Sequence, residues 1–256
     1  MMAGRSTELE RLQLQSRVWE PAGERLLARI GDGAGLHAVD VGCGVLGWLR
    51  LLSGWVGESG RVVGTDIQDP MLGAAGTFVA DESLGNVELV KDDIFASAME
   101  PASFDLLHAR FQLAPLGRIE EQLAVYRRLV KPGGLLVLEE PDMSSWRFNP
   151  DAPAAQRLIG LIEQAFLVAG GDFNAGRRLV ELLGDGVQVA AEIVALPPSH
   201  AYLRLPLQFA ASLEPRLVGL IGSEELRVLQ AQAEDEISMP YRWGTTFTLI
   251  QAWRRF

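Results

Sequence analysis

A short glycine turn with an acid in front of it is the first feature of the sequence that could do chemistry. Asp40 precedes Gly42, Cys43 and Gly44, and apolar residues recur at strand and then helix spacing across 36–52. Glycines let a ligand approach the backbone, and the start of a helix offers free N–H groups and a positive dipole end. The acid favours a ligand that carries an ammonium group over one that presents a pyrophosphate.

Acids also follow the next two predicted strands. Asp66 ends the strand at 61–67, where a carboxylate can hold the two hydroxyls of a ribose. Asp92 and Asp93 follow the third strand, within 86–95. The structural alternatives are a helix cap or a solvated turn for Asp66, and a solvent-facing side chain for one acid of the adjacent pair, because the two repel.

Titratable side chains stand where the fourth and fifth predicted strands end. His108 and Arg110 close the fourth strand, and Glu139 and Glu140 close the fifth. An open α/β sheet binds its ligands at this edge. His108 is suited to act as a general base and Glu139 to orient an acceptor group, while Arg110 is suited to hold an anion. The alternative is that hydrogen bonds hold these side chains within the structure.

The composition is that of a globular protein with a sizeable core, since 48% of the 256 residues are hydrophobic. A net charge of −10 disfavours nucleic acid as a partner, because phosphates would be repelled. The single cysteine cannot form an internal disulfide, which fits a cytoplasmic location. We find no run of membrane-spanning length and no signal-peptide core, so we expect no membrane partner.

Strand and helix patterns alternate along most of the chain, which predicts one α/β domain over 1–256. Two leading helices are predicted within 1–31, the second of them beginning at Pro21. The helix after the glycine turn is predicted to begin near Val45, and the fifth strand to cover 135–142.

Beyond the fifth strand the alternation is interrupted by further helices. They are predicted over 143–185 and 199–236, as a cap on the substrate side of the sheet. One of them covers 173–186, with Asn174 as its N-cap. The last two strands are predicted at 187–198 and at the end of the chain.

Three of these segments together resemble motifs of the class I S-adenosylmethionine (SAM) methyltransferases. They are D-x-G-x-G at 40–44, FDLLHARF at 104–111, and KPGG at 131–134 between a helix and a strand. The resemblance covers 38–142 and is to bacterial small-molecule enzymes similar to the ubiquinone and menaquinone biosynthesis methyltransferases. Leu46 stands where that family usually has a third glycine, and Gly47 follows one place later.

The resemblance implies a Rossmann-like α/β fold with a seven-stranded, mostly parallel sheet in the order 3-2-1-4-5-7-6, whose strand seven is antiparallel. It places SAM at the carboxyl ends of strands one to four, with Asp93 near the adenine amino group and Ile94 against the adenine ring. The cofactor-binding residues that it assigns are Asp40, Gly42, Cys43, Gly44, Asp66, Ile67, Asp92, Asp93, Ile94, His108 and Arg110.

The function that the resemblance implies is direct methyl transfer from SAM to a small, hydrophobic metabolite. His108 and Glu139 are the first candidates for a general base. The other candidate bases are His200 and Tyr241, and the aromatic candidates for an apolar acceptor pocket are Phe148, Phe166, Phe173, Tyr202 and Phe209. No metal is expected, and a homodimer is compatible with the sequence.

Two other functions remain open at this level. The chain could bind SAM without transferring its methyl group, as a regulator or as an enzyme that uses the sulfonium in another way. It could also be an NAD(P)-dependent oxidoreductase, because the glycine spacing alone fits a dinucleotide site. The Tyr-x-x-x-Lys pair of a short-chain reductase is absent at every tyrosine.

Overall fold

The computed structural model describes residues 6–197, 201–239 and 244–256, with side chains described from residue 12 onward. One seven-stranded sheet organises these residues, in the order β3-β2-β1-β4-β5-β7-β6. The strands are β1 (His37–Val41), β2 (Arg61–Asp66), β3 (Val87–Lys91), β4 (Phe104–Arg110), β5 (Val130–Asn149), β6 (Gln188–Leu196) and β7 (Gly244–Arg255).

The first five strands are parallel, and β7 pairs antiparallel with both β5 and β6. The predicted sheet order and the antiparallel seventh strand are therefore confirmed. Since parallel neighbours end on the same edge, the turns after β1, β2 and β4 meet there, beside the middle of the longer β5.

The helices cover both faces of the sheet and one end of it. They are α1 (Ser6–Ile30), α2 (Leu49–Val56), α3 (Asp69–Asp81), α4 (Leu113–Leu116), α5 (Ile119–Leu129), α6 (Pro153–Val168), α7 (Leu179–Leu183), α8 (Leu205–Ser212), α9 (Glu214–Ile221) and α10 (Ser223–Ile237). Across the described ranges, no helix is both long and apolar enough to span a membrane.

Three apolar clusters hold these layers together. One packs α1, α2 and α3 on the first face of the sheet, and the second packs α5 and α7 on the other. The third joins α6, α8, α9 and α10 to the far ends of β5 and β7, with Trp146 and Phe247 inside it. This third cluster is the cap that stands beside the carboxyl edge of the sheet.

The leading segment differs from its prediction, because α1 is one helix with Pro21 inside it rather than two. Proline removes one backbone hydrogen bond and normally ends or bends a helix. Trp19, Ala22 and Leu26 are all buried on the same side of α1. Their packing keeps the chain helical through the proline.

The helix after the glycine turn begins at Leu49, four residues later than predicted from Val45. Gly44 and Gly47 both have positive φ, so the intervening chain forms turns before it becomes helical. The apolar spacing from Val45 onward reflects burial in the turn as well as the helix, since Val45 and Trp48 are both 1% exposed or less.

The fifth strand runs from Val130 to Asn149 and is far longer than the predicted 135–142. It pairs with β7 along most of this length, with a register shift between Asp142 and Arg147. The segment predicted as helix over 173–186 is a 3-10 turn (Ala175–Arg178) followed by α7. Asn174 does not cap it, because its amide oxygen accepts from the N–H of Ser144 at 3.1 Å.

Candidate active site

Three glycines shape the turn that joins β1 to α2. Gly42, Gly44 and Gly47 have φ values of 65°, 57° and 44°. A Cβ on Gly42 would collide with the side chain of Gln112, and one on Gly47 would collide with Oδ2 of Asp40. Gly47 therefore needs glycine for space as well as for backbone conformation, because its Cβ would also lie 2.7 Å from the carbonyl oxygen of Cys43, whereas Gly42 needs it chiefly for its positive φ. Gly47 thus serves as the third glycine of the turn, one residue after the position where the family usually has it.

The backbone of the turn is fixed to the end of β2. The N–H of Cys43 donates to the carbonyl oxygen of Thr65 at 2.8 Å, and the N–H of Gly44 donates to Oδ2 of Asp66 at 3.1 Å. Cys43 is 3% exposed. Burial raises the pKa of its thiol well above the ordinary value, and the carboxylates of Asp40 and Asp66 raise it further.

The Asp66 carboxylate lies half-buried at the end of β2. Its Oδ1 accepts from the N–H of Gln68 at 2.9 Å, which ties the next turn to the same side chain. Burial raises the pKa of Asp66, while its hydrogen bonds from Gln68 and Gly44 lower it. Asp66 thus organises two backbone turns and presents a carboxylate between them.

The acids after β3 are engaged in local turns. Oδ1 of Asp92 accepts from the N–H of Ala98 at 3.2 Å, and Oδ1 of Asp93 accepts from the N–H of Phe95 at 3.0 Å. Ile94 is 7% exposed and packs in the core, whereas Ile67 is 53% exposed. The adenine contacts of Asp93 and Ile94 stay a prediction.

Five polar side chains form a buried polar cluster beneath the turn: Asp40, His108, Arg110, Glu139 and Gln251. Nδ1 of His108 lies 2.7 Å from Oδ1 of Asp40, and Nε2 lies 3.1 Å from Oε2 of Glu139. Nη1 of Arg110 lies 3.8 Å from Oε2 of Glu139, and Nε2 of Gln251 donates to Oε1 of Glu139 at 2.6 Å. His108 and Glu139 are 0% exposed, so neither has a surface through which it could touch an acceptor.

Glu140 fixes the loop that follows β4, a role that the sequence did not show. Its carboxylate accepts from the N–H groups of Gln112, Leu113 and Ala114 at 2.7–3.1 Å. Burial raises the pKa of Glu140 to about 8, although the hydrogen bonds from the three N–H groups lower it. Nε2 of Gln112 in turn donates to the carbonyl oxygen of Gly42 at 3.3 Å. The loop after β4 is therefore held against the glycine turn.

A cavity of about 370 Å³ lies at the carboxyl ends of β1, β2 and β4, beside the middle of β5. Polar and backbone groups of the strand ends form one part of its lining, namely Gly42, Gly44, Asp66, Gln68 and Gln112. Aromatic side chains form another part, namely Trp19, Phe111, Trp146, Phe166, Phe173, Tyr202, Phe209 and Phe247. A smaller cavity of about 110 Å³ lies against the turn, with Asp40, Cys43 and Arg110 in its lining.

A family profile described as a methyltransferase domain matches residues 38–134. Nocamycin O-methyltransferase from Saccharothrix syringae is 32% identical over 222 residues, which cover 82% of this chain and 76% of that protein. The chain belongs to the class I SAM-dependent methyltransferases.

Two other similar proteins are also methyltransferases, and their matches cover less of the chain. Demethylmenaquinone methyltransferase from Staphylococcus aureus (strain MRSA252) is 34% identical over 147 residues, or 57% of this methyltransferase and 56% of that protein. The crystal structure of a SAM-dependent methyltransferase from Aquifex aeolicus is 26% identical, with a TM-score of 0.50, over 55% of this chain and 75% of that one.

The lining of the cavity fits the cofactor of this family. Gly42 and Gly44 leave bare backbone at the ligand side of the turn, and Asp66 places a carboxylate in the lining at the end of β2. Among the described residues, no group of three or more His, Cys, Asp or Glu side chains is arranged to hold a metal ion. SAM is the cofactor of this methyltransferase, and its contacts with individual residues are proposals.

The structure brings some predicted site residues to the cavities and leaves others away from them. Four of the five predicted pocket aromatics line the cavity, whereas Phe148 lines a separate groove beside α6. Trp146 and Phe247 were missed, because Trp146 lies in a segment that was predicted as helix and Phe247 was predicted only as part of the last strand. His200 and Tyr241 lie outside the described residues.

We predict that Asp66→Ala weakens the binding of S-adenosylhomocysteine by about tenfold to a hundredfold, because a charged hydrogen bond contributes about 1.5–3 kcal/mol. Isothermal titration calorimetry measures the affinity, and circular dichroism shows that the variant is folded. The matched control is Asp69→Ala, three residues after Asp66 in the chain. It removes an exposed acid that forms an ion pair with Lys91. Unchanged affinity in a folded Asp66→Ala protein would contradict ribose binding by Asp66.

We predict that Gly47→Ala destabilises the protein by about 1–3 kcal/mol, because the new Cβ displaces the Asp40 carboxylate and the backbone has positive φ. Urea unfolding measures the change. Gly54→Ala in α2 is the control, since nothing lies within 4 Å of its added Cβ, and it should keep or raise stability. Equal stabilities of the two variants would show that the turn tolerates a side chain at Gly47.

Proposed function

We propose that this methyltransferase acts on a small, hydrophobic metabolite that binds in the aromatic part of the cavity. The observation that carries the proposal is that one cavity has both the glycine turn with Asp66 and a set of aromatic side chains in its lining. A cofactor and an acceptor bound in these two parts would share one continuous cavity. Direct displacement needs this arrangement, since donor and acceptor must meet without a carrier.

The aromatic part is built from tightly packed rings. Trp146 stacks on Phe247 with centroids 5.0 Å apart, and Phe166 contacts Phe173 edge to face at 4.0 Å. Phe209 lies within 6.2 Å of both Phe166 and Phe173. Such surfaces bind apolar or aromatic ligands through burial and ring contacts. The names of the two relatives, nocamycin O-methyltransferase and demethylmenaquinone methyltransferase, also support a small-molecule acceptor.

SAM, when bound, supplies an electrophilic methyl group on a sulfonium. The chain itself contributes alignment and exclusion of water, and good alignment is worth roughly 7–11 kcal/mol in well-oriented systems. Among the described lining residues, the ionisable side chains are Asp66, Tyr202 and Arg216. A base from His200 or Tyr241 stays a prediction, as do the homodimer and the cytoplasmic location.

The first experiment is calorimetric titration with SAM, S-adenosylhomocysteine and NADP(H), followed by a search for methyl transfer to quinols, enols and phenols. We expect the two sulfur ligands to bind and S-adenosylhomocysteine to form with an apolar acceptor. Binding of the dinucleotide alone would contradict the proposal. Tight SAM binding with no transfer to any apolar acceptor would favour a role without methylation.

We predict that Phe209→Leu raises the KM for an apolar acceptor by about twofold to tenfold and leaves S-adenosylhomocysteine affinity unchanged, because one aromatic contact contributes about 0.5–1.5 kcal/mol. Phe148→Leu is the matched control. It removes a buried phenylalanine that does not line this cavity, and it should change neither value. Equal effects of both substitutions on KM would argue against an acceptor in the aromatic part.

A further inference from the structure

The buried polar cluster beneath the turn takes no direct part in methyl transfer. Its side chains are nonetheless almost completely buried. Asp40 is 1% exposed, and His108, Glu139 and Gln251 are 0% exposed. The side chain of Arg110 is 7% exposed. Burying charged groups costs free energy unless they are paired and hydrogen-bonded, so the arrangement calls for a specific role.

The geometry fixes the protonation of the imidazole. Nδ1 faces Asp40 at 2.7 Å and Nε2 faces Glu139 at 3.1 Å. Ionised carboxylates only accept hydrogen bonds, so two of them facing the ring favour a proton on both ring nitrogens. A neutral ring would place a nitrogen lone pair against a carboxylate oxygen in the absence of water.

Two further observations agree with a positive ring. Trp48 stacks on His108 with centroids 3.8 Å apart and planes 12° apart, an arrangement that favours a cation. The charges also balance, because two carboxylates face one imidazolium and the guanidinium of Arg110. Burial lowers the pKa of His108, but the charges and hydrogen bonds of Asp40 and Glu139 outweigh it and leave that pKa above its ordinary value.

The buried polar cluster contacts two parts of the cofactor site. Oδ2 of Asp40 accepts from the N–H of Trp48 at 2.6 Å, where the glycine turn closes. Arg110 donates to Oγ of Ser16 at 3.2 Å, and Gln251 donates to the carbonyl oxygen of Ala22 at 3.1 Å, both on α1. Because Leu12, Gln15 and Ser16 of the same helix line the cavities, the cluster connects the turn to α1 as well.

We propose that His108 is a positioning residue: a buried imidazolium that joins Asp40 to Glu139 and so holds the glycine turn and α1 around the cofactor. The proposal rests on the cofactor site of the proposed function. Among the described residues, the charged and polar groups around His108 come from five elements. They are the other members of the buried polar cluster, Asp40 on β1, Arg110 on β4, Glu139 on β5 and Gln251 on β7, together with Ser16 on α1.

The pH dependence follows from the direction of the shift. Since the pKa of His108 is raised above 6.5, the stabilisation is complete below pH 6.5 and is lost as the pH rises through the folded value. We expect S-adenosylhomocysteine affinity to fall over the same pH range, by about tenfold for each unit by which the pKa of His108 is higher in the bound protein than in the free protein. His108→Gln should bind more weakly at pH 6.5 and show no such fall.

The test combines nitrogen NMR of histidine-labelled protein with calorimetry of S-adenosylhomocysteine from pH 6.5 to 8.5. The sequence has three histidines, so His37→Gln and His200→Gln assign the His108 signals by elimination in folded protein. We expect both ring nitrogens of His108 to be protonated at pH 7. His37→Gln is also the affinity control, because His37 bonds the carbonyl oxygen of Ser103 away from the buried polar cluster.

A single neutral tautomer of His108 at pH 7 would overturn the proposal, as would wild-type affinity in a folded His108→Gln protein. The NMR result uses wild-type chain and decides the charge even if His108→Gln fails to fold. Absence of S-adenosylhomocysteine binding at every pH, with a doubly protonated ring, would instead contradict the proposed function.

Discussion

The buried carboxylate of Asp40 is the constraint on which the cofactor site depends. One oxygen accepts from the N–H of Trp48 and the other faces His108, so this side chain joins the end of β1 to the residue that precedes α2 and to β4. The space it fills excludes any Cβ at Gly47. The position of Asp40 thus requires glycine at position 47, one residue later than in the usual family pattern. The turn keeps its exposed backbone despite this difference.

The aromatic part of the cavity depends on two long strands rather than on the turn. β5 and β7 extend past the edge of the parallel sheet and carry Trp146 and Phe247 into the cap. The same side chains pack the cap and line the cavity. The shape of the cavity and the stability of the cap therefore cannot be changed independently at these positions, since a smaller ring would enlarge the cavity and loosen the core together.

The sheet order and the glycine turn could be predicted because strand, turn and helix leave local signals that recur in a known family. The surroundings of His108 could not, because they depend on register between distant segments. Asp40 lies opposite His108 in the β1–β4 pair, and Arg110 lies opposite Glu139 in the β4–β5 pair. The position of His108 at the end of a strand suggested a general base, whereas the pairing of β4 with β1 and β5 buries its imidazole ring. The continuous α1 likewise reflects tertiary packing that overrides proline.

The protonated thiol of Cys43 has a consequence for an enzyme that handles an alkylating agent. A thiolate in the glycine turn would be the strongest nucleophile beside the sulfonium and would compete for its methyl group. Burial and the two neighbouring carboxylates keep the sulfur protonated instead. The same negative surroundings that would suit a positively charged donor therefore disfavour the thiolate, which is the form of cysteine that reacts with alkylating agents and oxidants.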